Sequence, residues 1–244
     1  MDVRKRLIFP LDVSDLKKAR SWVRKLKDHV GVFKIGLELF VAEGPPAIEM
    51  VREESQADIF LDLKLHDIPA TMQKAAHRAS LAGVDLLTVH MLAGREAVKK
   101  TVAAVEGGTK VFAVTILTSH TRAELMEIGY SPELSRDPQE AVLWLARLAY
   151  RAGCHGIVCS GKEVAAVKEA FKHLRVIVPG VRPSWASATH DQVRVVTPYE
   201  AILAGADYLV IGRPIREASD PVAAAAKILE EMKQAFVEQG VEVD

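Results

Sequence analysis

The chain has 244 residues, 49% of them hydrophobic and 26% charged, as expected of a folded protein with a large core. Lys+Arg and Asp+Glu stand at 32 each, so bulk charge points to neither nucleic acid nor an anionic membrane as a partner, and any anion must be held by local charge. No apolar run approaches the ~20 residues needed to cross a bilayer, the first fifteen residues lack a signal-peptide core, and Cys154 and Cys159 lie in or beside an apolar run; together these predict a cytoplasmic protein with reduced thiols.

In chain order, LIFPLD (7–12) reads as a strand, followed by a helix over VSDLKKARSWVRKLKDHV with Ser14 or Asp15 as its N-cap. VFKIGLEL (32–39) and DIFLDLKL (58–65) are the next strands, and PATMQKAAHRASLAGV is an Ala-rich helix ending at Gly83. DLLTVHM (85–91) precedes the helix REAVKKTVAAV. KVFAVTIL (110–117) precedes a long connection, 118–139, which runs into an amphipathic helix ending near Gly153. GIVCS (156–160), RVIVPGV (175–181) and YLVIGRPI (208–215) are the last three strands; the helices GKEVAAVKEAF, TPYEAILAGA and DPVAAAAKILEEMKQAFVEQG alternate with them, and a second long connection spans 182–193. Near-continuous hydrophobicity marks parallel strands covered on both faces. Eight strand–helix alternations with no linker predict an α/β chain folded as one (β/α)8 TIM barrel domain over residues 1–244. The competing doubly wound sheet would carry a Gly-rich turn after its first strand, where this chain has PLDVSD.

In such a barrel the carboxyl ends of the strands share one cup, where the chemistry sits. Those ends supply Asp12, Lys34, Asp62, Lys64, Asp67, His90 and Thr118, then Gly180 with Arg182 and Gly212 with Arg213. Asp62 and Lys64 are two apart, so both face the cup, while Leu61, Leu63 and Leu65 face the helices. Asp67 follows the strand, and parity does not give its direction. A lysine among carboxylates stays an ammonium ion able to deliver a proton. Gly–Arg pairs after strands seven and eight suit a phosphate, because glycine admits backbone N–H groups and arginine offers a forked donor set. His90 reads as a packed, hydrogen-bonded rim residue, and Trp22 and Trp144 as packing between helices and barrel. No metal-ligand spacing and no Gly-rich nucleotide-cofactor motif occurs.

FLDLKLHDIPATM closely resembles the D-x-K-x-x-D-I-P signature of the orotidine 5′-phosphate decarboxylase family. PLD, FKIG, TILTS, VPGVR, DQVRVVTP and IGRPI fall in that family's order along nearly the whole chain. The resemblance implies decarboxylation of orotidine 5′-monophosphate to uridine 5′-monophosphate, the last step of de novo UMP synthesis, with no metal or other cofactor. It implies that Asp12 and Lys34 hold the ribose hydroxyls, that Thr118 contacts the pyrimidine, and that Gln192, Arg213 and the Gly212 backbone bind the 5′-phosphate with Arg182 nearby. Lys64 would be the proton donor beside Asp62. Asp67 would reach the site from the second subunit of a homodimer with shared active sites, with Ile68 and Thr71 lining the same edge. Two alternatives stand beside this. Mg2+-dependent keto-gulonate-phosphate decarboxylases and hexulose-phosphate synthases share the D-x-K-x-x-D barrel but carry a carboxylate where this chain has Lys34. A non-catalytic nucleotide-binding barrel would need no proton donor.

Overall fold

The computed structural model describes residues 1–186 and 196–243. β1 (Leu7–Pro10) leads to α1 (Leu16–Leu26), and β2 (Val32–Ile35) to α2 (Leu37–Glu43) and α3 (Pro46–Glu54). β3 (Asp58–Leu65) leads to α4 (Pro69–Leu81), and β4 (Leu86–His90) to α5 (Arg95–Ala104). After β5 (Lys110–Val114) come α6 (Arg122–Glu127), α7 (Pro132–Arg136) and α8 (Pro138–Ala152). β6 (Gly156–Val158) precedes α9 (Val164–Ala170), and β7 (Arg175–Pro179) precedes α10 (Pro198–Leu203). β8 (Tyr208–Val210) is followed by α11 (Arg213–Arg216) and α12 (Pro221–Glu238). Each strand pairs in parallel with the next, and β8 pairs with β1, closing the barrel.

Local chemistry sets the boundaries. Asp15 caps α1 by accepting from the Lys18 N–H at 2.9 Å, and Asp137 caps α8 through Gln139 N–H. α8 stops at Gly153, whose φ of 83° is the left-handed conformation that ends helices. Two apolar layers follow from strand alternation. Outward-facing side chains such as Phe9, Phe33, Leu61 and Leu87 pack against the helices. Inward-facing Ile8, Val32, Phe60, Leu86, Phe112, Ile177 and Tyr208 fill the barrel, with Phe112 and Tyr208 edge to face at 6.1 Å. That plug leaves the cup open at the carboxyl ends of the strands.

Two expectations are corrected, on strand length and on Trp144. All strands but β3, which spans 58–65 as read, are shorter than their apolar runs: residues 37–39 begin α2 and residues 213–215 begin α11, so hydrophobicity in those stretches belongs to helices. The 118–139 connection carries two short helices, α6 and α7, each with a serine or threonine N-cap. Trp144 does not pack between helix and barrel; it is 44% exposed, whereas Trp22 lies against Phe9 at 5.4 Å.

Candidate active site

Asp12 lies just past β1, Lys34 on β2, and Asp62 and Lys64 on β3. Their charged ends form one alternating chain. Lys34 Nζ is 3.1 Å from Asp12 Oδ1 and 3.5 Å from Asp62 Oδ2, and Lys64 Nζ is 2.9 Å from Asp62 Oδ1. The Lys34 and Asp62 side chains are only 12% and 13% exposed and Lys64 is 33% exposed, so Lys64 is the more accessible amine. Burial pushes the Asp62 carboxyl up, but the Lys34 and Lys64 charges, with hydrogen bonds from Lys64 and Thr88, outweigh it and hold Asp62 below its ordinary value. Asp62 therefore stays ionised.

Lys64 reaches this place through a backbone that simple alternation does not foresee. Between Leu61 and Leu65 the β3–β4 register slips: Leu61 pairs with Leu87 but Leu65 with Val89, so four steps on β3 match two on β4. Within this bulge Lys64 has φ of 51°, the one positive φ outside glycine among the described residues. Such a conformation costs of order 1 kcal/mol or more in an L-residue and persists only where the surroundings hold it. Here Thr88 holds it. The Lys64 N–H donates to Thr88 Oγ1 at 2.9 Å, and the same hydroxyl donates to Asp62 Oδ1 at 2.9 Å. Thr88 was not singled out from the sequence, since nothing in DLLTVHM separates it from a core threonine.

A cavity of about 260 Å3 opens above these charges, lined by Lys34, Asp62, Lys64 and Thr118 and floored by Phe60, Val158, Ile177 and Val210. Thr118, just past the end of β5, thus lines the same cavity as the charged chain. A second cavity, also about 260 Å3, is lined by Arg182, Arg213, Trp185 and Glu217. The two are linked by chain: Pro179 and Val210 border the first, and Arg182 and Arg213, three residues on, border the second. Gly212 precedes the first turn of α11, and a Cβ there would approach Pro10 Cγ at 2.8 Å, so glycine lets α11 sit tightly on the end of β1. Arg216 completes that junction, donating to the Pro10 carbonyl at 2.8 Å and standing 3.9 Å from Asp12 Oδ2. It too escaped the sequence reading.

Not every expected residue joins the cluster. Asp67 is exposed on the rim and accepts from the Ile68 N–H at 2.6 Å; it makes no ion pair among the described residues. Ile68, 67% exposed, and Thr71 lie beside it at the start of α4. Gln192 lies outside the described residues. His90 is a rim residue, as expected: its Nδ1 accepts from the Leu92 N–H at 3.3 Å and its ring stacks on His66 at 5.6 Å.

Residues 5–228 match the family described as Orotidine 5′-phosphate decarboxylase / HUMPS family. The chain belongs to that family. It is 45% identical to an orotidine 5′-phosphate decarboxylase of Syntrophotalea carbinolica, over 98% of this chain and 99% of that protein. It is 48% identical to one from Anaeromyxobacter sp. (strain K), over 93% and 98%. The crystal structure of orotidine 5′-phosphate decarboxylase from Lactobacillus acidophilus superposes with a TM-score of 0.79 at 33% identity, covering 93% of this chain and 98% of that one. This orotidine 5′-phosphate decarboxylase family member is an enzyme, a carboxy-lyase. No helix among the described residues is long and apolar enough to cross a membrane.

Proposed function

We propose that the chain converts orotidine 5′-monophosphate to uridine 5′-monophosphate and CO2 in pyrimidine biosynthesis, with Lys64 as proton donor and no metal or other cofactor. The observation that carries this is the Lys64 ammonium, held 2.9 Å from Asp62 at the edge of an apolar-floored cavity. The 5′-phosphate takes the Arg182–Arg213 cavity, with the Gly212 backbone beside it and Gln192 as a further phosphate ligand. Asp12 and Lys34 bind the ribose hydroxyls, and Thr118 meets the base. This lays the C6 carboxylate over Asp62 and Lys64.

Breaking the bond between C6 and the carboxyl carbon leaves an electron pair on C6 as CO2 departs. The Lys64 ammonium stabilises that charge as it develops and transfers a proton to C6; the neutral amine then regains a proton from solvent. A fixed charge aimed at accumulating electrons acts most strongly where water is excluded, and the strained Lys64 backbone fixes its aim before substrate arrives. Asp62 repels the substrate carboxylate, an effect relieved as CO2 forms. Phosphate binding supplies remote energy for that approach. Lys34 also bears on the Mg2+-dependent alternative: its ammonium lies between Asp12 and Asp62, where a divalent cation would need a further carboxylate.

The protein works as a homodimer in which Asp67, Ile68 and Thr71 complete the partner's site; their exposure on the rim suits this role. A cytoplasmic setting suits the two buried cysteines, Cys154 and Cys159. The test is to incubate the protein with orotidine 5′-monophosphate in EDTA and follow ultraviolet absorbance. Turnover to uridine 5′-monophosphate is expected. No turnover, or turnover only after Mg2+ is restored, would refute the reading.

A further inference from the structure

Trp185 stands where the phosphate cavity meets α12. Its ring lines the cavity that holds Arg182 and Arg213, and it also borders a broad surface groove along α12 with Lys227, Glu230, Glu231 and Gln234. The indole is therefore a wall between the two. Two side chains of α12 hold it. Indole Nε1–H donates to Glu231 Oε1 at 3.0 Å, and Lys227 Nζ lies 5.7 Å from the ring centroid, within cation–π range. Burial pushes the Glu231 carboxyl up, and the Trp185 N–H draws it back down, so the hydrogen bond favours the ionised acceptor. The backbone that carries the indole is itself short and turned. Ala186 N–H donates to Pro183 O at 3.0 Å, closing a turn around Trp185, and Arg182 N–H donates to Val196 O at 2.9 Å.

We propose that Trp185 is a positioning residue for the phosphate end of the site, anchored on α12 by Glu231 and Lys227 so that Arg182 and its backbone stay opposite Arg213. This rests on the assignment of that cavity to the 5′-phosphate. The physical case is one of lever arms. Arg182 is three residues from Trp185, and the strand that supplies it ends at Pro179. A long side chain on an irregular segment loses rotamer and backbone freedom when it binds, and a segment docked in advance loses less. α12 is an 18-residue helix packed on the barrel through Ile228, Leu229 and Met232, so it is a stiff base for the anchor. The sequence stretch RPSWAS gives no hint of this, because the partners lie more than forty residues away.

The experiment compares Glu231→Leu, Glu231→Gln, Trp185→Ala and Trp185→Phe with the unmodified protein by calorimetric titration of uridine 5′-monophosphate, inorganic phosphate and uridine. Glu231→Leu and Trp185→Ala should weaken uridine 5′-monophosphate and phosphate in parallel by about three- to tenfold, the scale of one lost hydrogen bond, and leave uridine unchanged. Glu231→Gln, which keeps an acceptor, should bind as the unmodified protein does. Trp185→Phe keeps the ring but loses the donor, so it should behave like Glu231→Leu and guards against a folding defect in the alanine variant. Unchanged phosphate affinity in Glu231→Leu and Trp185→Phe would overturn the proposal, as would an equal loss for uridine and phosphate. The titrations do not depend on turnover: a protein that fails to decarboxylate orotidine 5′-monophosphate sinks the functional reading, while the phosphate affinities still decide the anchor.

Discussion

At the scale of single residues, Lys64 concentrates the chemistry and the strain. Its amine ends the Asp12–Lys34–Asp62–Lys64 chain, and its backbone is held in the left-handed region by Thr88. Lys64→Ala removes the proton donor and leaves Asp62 with one ammonium fewer. Its kcat/KM for orotidine 5′-monophosphate should fall by at least about 1,000-fold, the loss expected for a preorganised charge in a dry site, with uridine 5′-monophosphate still bound in a calorimetric titration. Activity near that of the unmodified protein would remove Lys64 from the mechanism. His90 gives a pH prediction. Burial, then His66, His120 and Lys64, push it down to about 4 from an ordinary 6.5. Between those values the unfolded chain binds a proton that the folded chain refuses, so stability rises with pH through this window. The contribution is complete above about pH 6.5 and is lost as the pH falls toward 4. Urea midpoints of His90→Gln measured from pH 7 to pH 4 should decline less than those of the unmodified protein, and parallel curves would contradict the assignment.

At the scale of elements, the informative feature is the mismatch between apolar runs and strands. Runs such as VFKIGLEL and YLVIGRPI continue past the sheet because the first turn of the following helix also buries its apolar side chains, as Leu39, Pro214 and Ile215 do. Hydrophobicity reports burial, and burial is shared by both kinds of element. Helix ends were more legible. Asp15 and Gly153 act as expected because capping chemistry is local. Gly153 allows a clean test: a Cβ there meets nothing closer than Val102 Cγ1 at 3.7 Å, so only the positive φ opposes a side chain. Gly153→Ala should lower unfolding stability by about 1–2 kcal/mol in urea titrations while leaving activity intact. A neutral effect would show that α8 ends in some other way in solution.

At the scale of the whole molecule, the barrel gathers six strand ends into a site divided between a charged cup and an arginine-lined cavity, but it leaves Asp67 outside. If Asp67 acts across a dimer, Lys64→Ala and Asp67→Ala subunits are each inactive alone yet complementary. Refolded as an equal mixture, half the dimers are hybrids, and each hybrid carries one site with both native residues. About a quarter of the unmodified activity should return. No recovery, with hybrid dimers demonstrated by mass, would place Asp67 in its own subunit's site or outside the chemistry.

The barrel and the charged set are legible from the chain alone, because eight buried parallel strands and a polar signature at one strand's end are written as local pattern. Strand-end position alone puts Asp12, Lys34, Asp62, Lys64, Thr118, Arg182 and Arg213 around one cup; in the fold Lys34, Asp62, Lys64 and Thr118 line one cavity, Arg182 and Arg213 line a second, and Asp12 pairs with Lys34. Tertiary structure alone decided how Lys64 is aimed. Alternation says that residues two apart share a face, but here they share the cavity across a bulge and a left-handed residue that depend on Thr88 from the neighbouring strand. The same holds for Arg216 on Asp12 and for Glu231 under Trp185. These contacts join residues 24, 46 and 204 positions apart, and a pattern read within a window cannot register a partner that only the closed barrel brings near.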